Sequence, residues 1–344
     1  MQLAFGLVTL GGFLLWQSLA CSKPKHPTSV PSPPKAPRYT SWILGDTADV
    51  PTTTQSGLLL AGGSTDQDDA MRWFLQRANG GDVLIIRASG ADGYNKYLFS
   101  DLGEKVNSVE TILIDSRAVA NNPDVARKIR NAEALFIAGG DQANYVNFWK
   151  DTPVMDALNF LLNEKRVTVG GTSAGCGILS GLYFDALNGT VDSPETLANP
   201  YNPKVSLQRG NFLKAPFLGN ALADMHFSER SRPGRLVGFL ARATKDWGLT
   251  NLRGIGVDEK TAFVVDETGA AQVLGQGSVL LLETLAPPNR CETGKPLDWL
   301  GTDGKALRAS LLGPGETWSL KTWAGNAKIE KWSVEKGKLF RLPW

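Results

Sequence analysis

Cysteine is scarce in this chain, with Cys21, Cys176 and Cys291 the only three in 344 residues. They are too few and too scattered for a disulfide framework or a cysteine-held metal cluster. Charge of one sign is lacking too: lysine plus arginine number 36 and aspartate plus glutamate 34, a formal net charge of +2. Such a balance gives no basis for a polyanion partner and sets nucleic acid aside. Histidine occurs twice, at His26 and His226, so chemistry that needs an imidazole has almost no choice of residue. One long stretch, Leu3 to Ala20, is almost uncharged and largely apolar. Hydrophobic material is ample, at 42% of residues against 20% charged, enough for one large domain with an appendage.

Near the middle of the chain, Val167 to Gly177 reads V-T-V-G-G-T-S-A-G-C-G. A β-branched run ends in glycines, and a serine stands among small residues before a helix-compatible stretch from Gly175 to Gly181. Gly171-Thr172-Ser173-Ala174-Gly175 fits the G-x-S-x-G turn. Its flanking glycines let strand and helix approach while the serine is held exposed in a strained conformation. The bland alternative is a glycine-rich turn with no chemistry. If Ser173 is a nucleophile, the amide of Ala174 and one from Gly139 or Gly140 are placed to stabilise an oxyanion. Cys176, one turn beyond, reads as a small buried filler.

Around this turn, short apolar runs alternate with helical spacing. Leu58 to Ala61 leads into Gly62-Gly63-Ser64, and Ala70, Trp73, Phe74 and Ala78 then recur on one helix face. Further strands are expected at Val83–Ile86, Thr111–Ile114, Ala134–Ala138 and Val167–Val169. Helices are expected around Tyr94–Val106, over Gln142–Trp149 with Asp141 as cap, and over Leu236–Lys245. Continuous apolar strands alternating with helices indicate an α/β fold, a mostly parallel sheet with helices on both faces. Ligands in such sheets bind beyond the carboxyl ends of the strands, where Gly62-Gly63, Gly139-Gly140 and Ser173 fall.

His26 lies in a proline-rich segment, so a serine–histidine mechanism must use His226. The alternative for His226 is a hydrogen-bonded structural role. Its 53-residue spacing from Ser173 is too short for an ordinary α/β-hydrolase. Just beyond it, Arg230 and Arg232 approach a helix marked by Pro233, and Arg235 lies in the first turn. Three guanidiniums beside a helix N-terminus form an anion site, unless they are simply a loop pairing with Glu229 or Asp224.

Together, Gly139-Gly140-Asp141-Gln142, Gly171 to Gly175 and the D-x-H-F-S-x-R-x-R-x-x-R run from Asp224 to Arg235 resemble the cyanophycinase family of serine peptidases, relatives of aspartyl dipeptidase, over about residues 57–285. The resemblance implies a class I glutamine amidotransferase-like fold, with Ser173 as nucleophile and His226 as base. It also implies a pocket lined by Gln142, Asp224, Arg230, Arg232 and Arg235, and a carboxylate between serine and histidine that orients the base. Glu195 is the residue selected for that role, with Asp192 as the alternative. The implied substrate is a β-aspartyl peptide, specifically the aspartate-arginine polymer cyanophycin cut into dipeptides. Other short aspartyl or isoaspartyl peptides, or a non-catalytic exported binding protein, are the alternatives. No cofactor or metal is implied, and a homodimer is the one assembly considered.

The N-terminal stretch ends in Ser18-Leu19-Ala20-Cys21 and resembles a bacterial lipoprotein signal, implying cleavage before Cys21 and its lipidation. An uncleaved anchor or a simple secretory signal are the alternatives. Membrane contact is expected only through this segment, on an exported and envelope-anchored protein. The chain thus divides into a signal (1–21), a proline-rich tether and lead-in (22–56), a catalytic domain (57–285) and a C-terminal appendage (286–344). Toward the end of the catalytic domain, Gly254–Val257 and Ala262–Val265 flank a turn at Asp258–Thr261 and begin an edge meander. Asp258 and Glu259 are given a structural role. The appendage holds Trp299, Trp318, Trp323, Trp332 and Trp344 and is expected to be small, β-rich and packed on the main domain.

Overall fold

A computed structural model describes residues 37–344; the apolar leader, Cys21, His26 and the tether up to residue 36 lie outside the described residues. The first half runs β1 (Thr40–Gly45), β2 (Gly57–Ala61), α1 (Asp68–Gln76), β3 (Asp82–Arg87), β4 (Ser108–Leu113), α2 (Arg117–Ala120), α3 (Pro123–Asn131), β5 (Ala134–Ile137), α4 (Gln142–Trp149), α5 (Pro153–Phe160) and β6 (Thr168–Thr172). Local chemistry sets several boundaries. Asn122 and Asp141 accept hydrogen bonds from the amides of Asp124 and Ala143, capping α3 and α4. Pro123 and Pro153 occupy first turns, where a missing N–H costs nothing.

Apart from the exposed edge strand β1, these strands are buried on both sides, which is why β2, β3 and β5 read as unbroken apolar runs. Leu58, Leu60, Leu84, Ile86, Leu135 and Ile137 pack with Ile129, Trp149 and Leu158 on one face. Their neighbours Leu59, Val83, Ile85 and Phe136 pack with Ala70, Phe74 and Leu75 of α1 on the other.

The second half runs α6 (Ala174–Gly177), β7 (Leu182–Phe184), α7 (Ser193–Ala198), β8 (Leu207–Arg209), β9 (Ala221–Met225), α8 (Pro233–Trp247), β10 (Arg253–Val257), β11 (Thr261–Asp266), β12 (Ala270–Gly275), β13 (Val279–Thr284), β14 (Leu307–Leu312), β15 (Thr317–Ser319), β16 (Ala324–Gly325), β17 (Lys328–Glu335) and β18 (Lys338–Pro343). Two sheets result. The first has ten strands in the order β1-β4-β3-β5-β6-β2-β11-β12-β15-β16, and its central five, β4 through β2, are parallel. The second has eight, β18-β17-β14-β13-β10-β9-β7-β8, with β9 parallel to both β7 and β10. Leu236, Phe239 and Leu240 of α8 pack against this second sheet. The α/β class and the parallel core follow the sequence expectation.

Three elements differ from it. The strands on either side of residues 258–260 are not neighbours in one meander: β10 lies inside the second sheet and β11 pairs with β2 in the first. The turn therefore carries the chain from one sheet to the other. The expected helix over Tyr94–Val106 contracts to a single π-helical turn, Tyr97–Asp101, bracketed by Gly93 and Gly103. The stretch Gly175–Gly181 keeps only the four-residue α6, glycine-rich and a poor helix former. The C-terminal residues are β-rich, and they continue both sheets: β14, β17 and β18 extend the second, while β15 and β16 extend the first. Trp299, Trp318, Trp323 and Trp332 are buried there, and Trp344 is exposed.

Candidate active site

Ser173 stands directly after β6, with φ 51 and ψ −122. This is a left-handed conformation that a non-glycine residue adopts only under constraint from its surroundings. The constraint is visible in the glycines around it. A Cβ on Gly171 would lie 2.4 Å from the Gly175 carbonyl oxygen, and one on Gly175 would lie 2.3 Å from that of Ile137, so only glycine lets the turn close on itself and on β5. His226 follows β9 in the second sheet and is also left-handed, at φ 47.

The two sheets meet at the end of β2. The Ser173 amide donates to the Ala61 carbonyl at 3.0 Å, the His226 amide to Gly62 at 2.8 Å, and the Lys260 amide to Gly63 at 3.0 Å. Gly62-Gly63 thus binds the serine turn, the histidine and the 258–260 crossing into one unit. A Cβ on Gly63 would fall 2.4 Å from the His226 ring.

Across this junction Ser173 Oγ lies 2.7 Å from His226 Nε2, and His226 Nδ1 lies 2.6 Å from Glu259 Oε1. The hydrogen bond from His226 holds Glu259 below the ordinary glutamate range, helped by the Ser64 hydroxyl. An ionised carboxylate only accepts, so Nδ1 carries the proton and Nε2 is left to accept from Ser173. Burial pushes His226 below its ordinary value despite the carboxylate beside it. Cys176 is fully buried and its thiol is pushed up by that burial, in keeping with a filler.

The carboxylate on His226 is therefore Glu259, and not Glu195 or Asp192. Those two form a capping box at the start of α7: Asp192 accepts from the Glu195 amide at 2.7 Å, and the Glu195 carboxylate accepts in return from the Asp192 amide. Glu195 also pairs with Lys204 at 2.8 Å on the exposed surface. The pattern D-S-P-E is a helix-start signal, and that reading accounts for both acids. Asp258, beside Glu259, is structural: its two oxygens accept from the amides of Ser228 and Ser278.

Ala174 is the first residue of α6, so its N–H has no carbonyl a turn earlier in that helix. Gly139 follows β5 beside the serine; a Cβ there would sit 3.5 Å from Ser173 Cβ, whereas one on Gly140 would meet the Tyr145 hydroxyl. Asp49, Asp82 and Glu133 come within mutual reach elsewhere, but each already accepts from protein donors.

The relatives of the chain bear on this geometry. A model of peptidase family S51 matches residues 58–197, which include the serine turn. The cyanophycinase of Trichormus variabilis is 27% identical over 256 residues, covering 72% of this chain and 78% of that protein. The cyanophycinase of Synechococcus elongatus is 27% identical over 281 residues, 77% and 80% of the two chains. The chain is a serine-type peptidase. A solved peptidase from an acI-B1 Actinobacterium shares the fold, covering 78% of this chain and 98% of its own at a TM-score of 0.51 and 16% identity.

In this serine-type peptidase the other residues expected to line a substrate pocket divide into two groups. Asp224 and Arg235 are each 2% exposed and engage one another: Arg235 Nε donates to Oδ2 at 2.9 Å and Nη2 to Oδ1 at 2.5 Å. Arg235 also donates to Thr190 and to the Val191 carbonyl, and its guanidinium lies against the stacked pair Phe184 and Phe239. Arg232 donates to Asp224 at 3.2 Å and to the Met225 carbonyl at 2.6 Å. A carboxylate on a buried strand needs such partners, so Asp224 takes up the two arginines internally. Gln142 likewise donates to the Phe184 carbonyl at 2.8 Å. Arg230 is different. It is exposed, makes no ion pair among the described residues, and its charge depresses both His226 and Glu259.

A stability measurement separates the two groups. Arg235→Met should lower the unfolding free energy by about 3–5 kcal/mol in urea titration, because it strands a buried carboxylate. Arg230→Met should change it by less than about 0.5 kcal/mol. Equal, small effects would show that Arg235 is not an internal prop.

Proposed function

We propose that the chain hydrolyses β-aspartyl peptides and releases β-aspartyl-arginine dipeptides from cyanophycin. The observation that carries the reading is the line Ser173–His226–Glu259, held at the junction of the two sheets in a chain similar to cyanophycinases. Ser173 attacks the scissile carbonyl while His226 takes its proton and later gives it to the leaving amine. Glu259 holds the tautomer and stabilises the imidazolium. The Ala174 amide, with one from Gly139 or Gly140, receives the oxyanion. Arg230 is the guanidinium free to meet a substrate carboxylate. Export with lipid attachment at Cys21 belongs to the same proposal and rests on Ser18 to Cys21 and the prolines that follow.

The test is dipeptide release from purified cyanophycin as a function of pH. The base works only when neutral, so activity must fall as acid protonates His226. Burial depresses that protonation, and the acid limb should therefore have its midpoint below the ordinary histidine range. Absence of dipeptide at any pH, or activity that rises toward acid, would reject the proposal.

A further inference from the structure

The crossing between the two sheets carries Glu259, and its amides are not all held alike. The Asp258 amide donates to the Ser278 carbonyl at 3.1 Å and the Lys260 amide to the Gly63 carbonyl at 3.0 Å, both main-chain acceptors. Between them, the Glu259 amide donates instead to a side chain, Glu229 Oε2, at 3.1 Å. Glu229 lies on the loop that carries the base, just beyond His226. Strands β9 and β10 stay in parallel register as far as Met225 and Val257, and past that point loop and crossing part. Hydrogen bonds then bridge them in step: the Phe227 amide to the Val257 carbonyl at 3.2 Å, the Ser228 amide to Asp258 Oδ1 at 2.9 Å, and the Glu259 amide to Glu229. Where the ladder runs out of main-chain acceptors, carboxylates take their place. Asp258 is buried and also bonds the Ser278 amide, so it anchors the fold. Glu229 is exposed and enters no ion pair among the described residues.

Water can satisfy an exposed amide, so the bond to Glu229 adds little to folding. What it fixes is a position. The acid must stay on Nδ1 to keep the ring turned toward the serine, and small displacements of catalytic groups cost much of the rate. We propose that Glu229 is a positioning residue of the triad: it grips the Glu259 amide from the histidine's own loop and so sets base and acid at a fixed separation. This role rests on the serine–histidine–glutamate mechanism proposed above and adds to it a residue that acts through Glu259.

The test is the rate at which a fluorophosphonate labels Ser173, which does not depend on which peptide is the substrate. Glu229→Ala should slow the maximal labelling rate about tenfold, with the half-saturating reagent concentration and the urea midpoint unchanged. Glu229→Gln keeps an acceptor oxygen at the same reach and should stay within about twofold of wild type. Glu229→Asp keeps the charge but withdraws the oxygen by one methylene, and should be as slow as the alanine variant. A Glu229→Ala rate within about twofold of wild type, or rates that follow charge, with aspartate fast and glutamine slow, overturns the role. If wild-type Ser173 is not labelled at all, the serine–histidine mechanism fails separately, and proton NMR then judges the grip. His226 is the only histidine among the described residues, and the bond to Glu259 should shift its Nδ1 proton downfield. That signal should be sharp in wild type and Glu229→Gln and lost to solvent exchange in Glu229→Ala and Glu229→Asp. The same signal in every variant, or none in wild type, overturns the role.

Discussion

Ser173→Ala should lower kcat for peptide hydrolysis on the order of 10⁴-fold or more while the protein stays folded. The change removes only Oγ from a side chain whose backbone is already fixed by Gly171, Gly175 and the Ala61 carbonyl, so nothing in the fold depends on it. His226→Ala should cost a similar amount, and the double variant scarcely more than either. An alkoxide nucleophile is not formed without its base, and a base has no task without its nucleophile. Steady-state kinetics with circular dichroism on each variant provides the check. Turnover within tenfold of wild type in either folded single variant would remove the serine–histidine mechanism.

The second large effect concerns the acid. Glu259→Gln should reduce kcat by about 10²- to 10⁴-fold, although the side chain keeps its shape. Glutamine does not stabilise the imidazolium. Its amide can also donate to Nδ1, which moves the ring proton to Nε2 and removes the acceptor that Ser173 needs. Glu195→Gln should leave kcat within about twofold, since it loses only an exposed pair with Lys204 and part of a helix cap. The reverse ranking of the two variants would return the role to α7.

The parallel sheet was legible because each buried strand is a continuous apolar run followed by a turn and a helical period; Leu58–Ala61, Val83–Ile86 and Ala134–Ile137 all carry that signature. The serine turn was legible for a related reason, since its glycines are demanded by contacts shorter than any Cβ tolerates. The acid was not. Glu259 reaches His226 only because β10 and β11 belong to different sheets, and an apolar run on each side of a turn looks the same whether the chain folds back or crosses over. A signal was nonetheless available against Glu195, because Asp192-Ser193-Pro194-Glu195 already has a complete role as a capping box. The arginines posed a similar ambiguity. Their spacing suits an anion site, but Asp224 occupies a buried strand position where a lone carboxylate is costly, and that cost draws Arg232 and Arg235 inward. Only Arg230 is left facing the triad from outside.

Ser173 is activated by His226 and Glu259 acting together, and fluorophosphonate labelling followed by peptide mass spectrometry is the decisive test of that activation. One adduct is expected, on Ser173, formed at the wild-type rate in Glu195→Gln and on the order of a hundredfold more slowly in Glu259→Gln. An adduct on another residue, no adduct on the folded wild-type protein, or equal labelling of Ser173 in Glu259→Gln would contradict it.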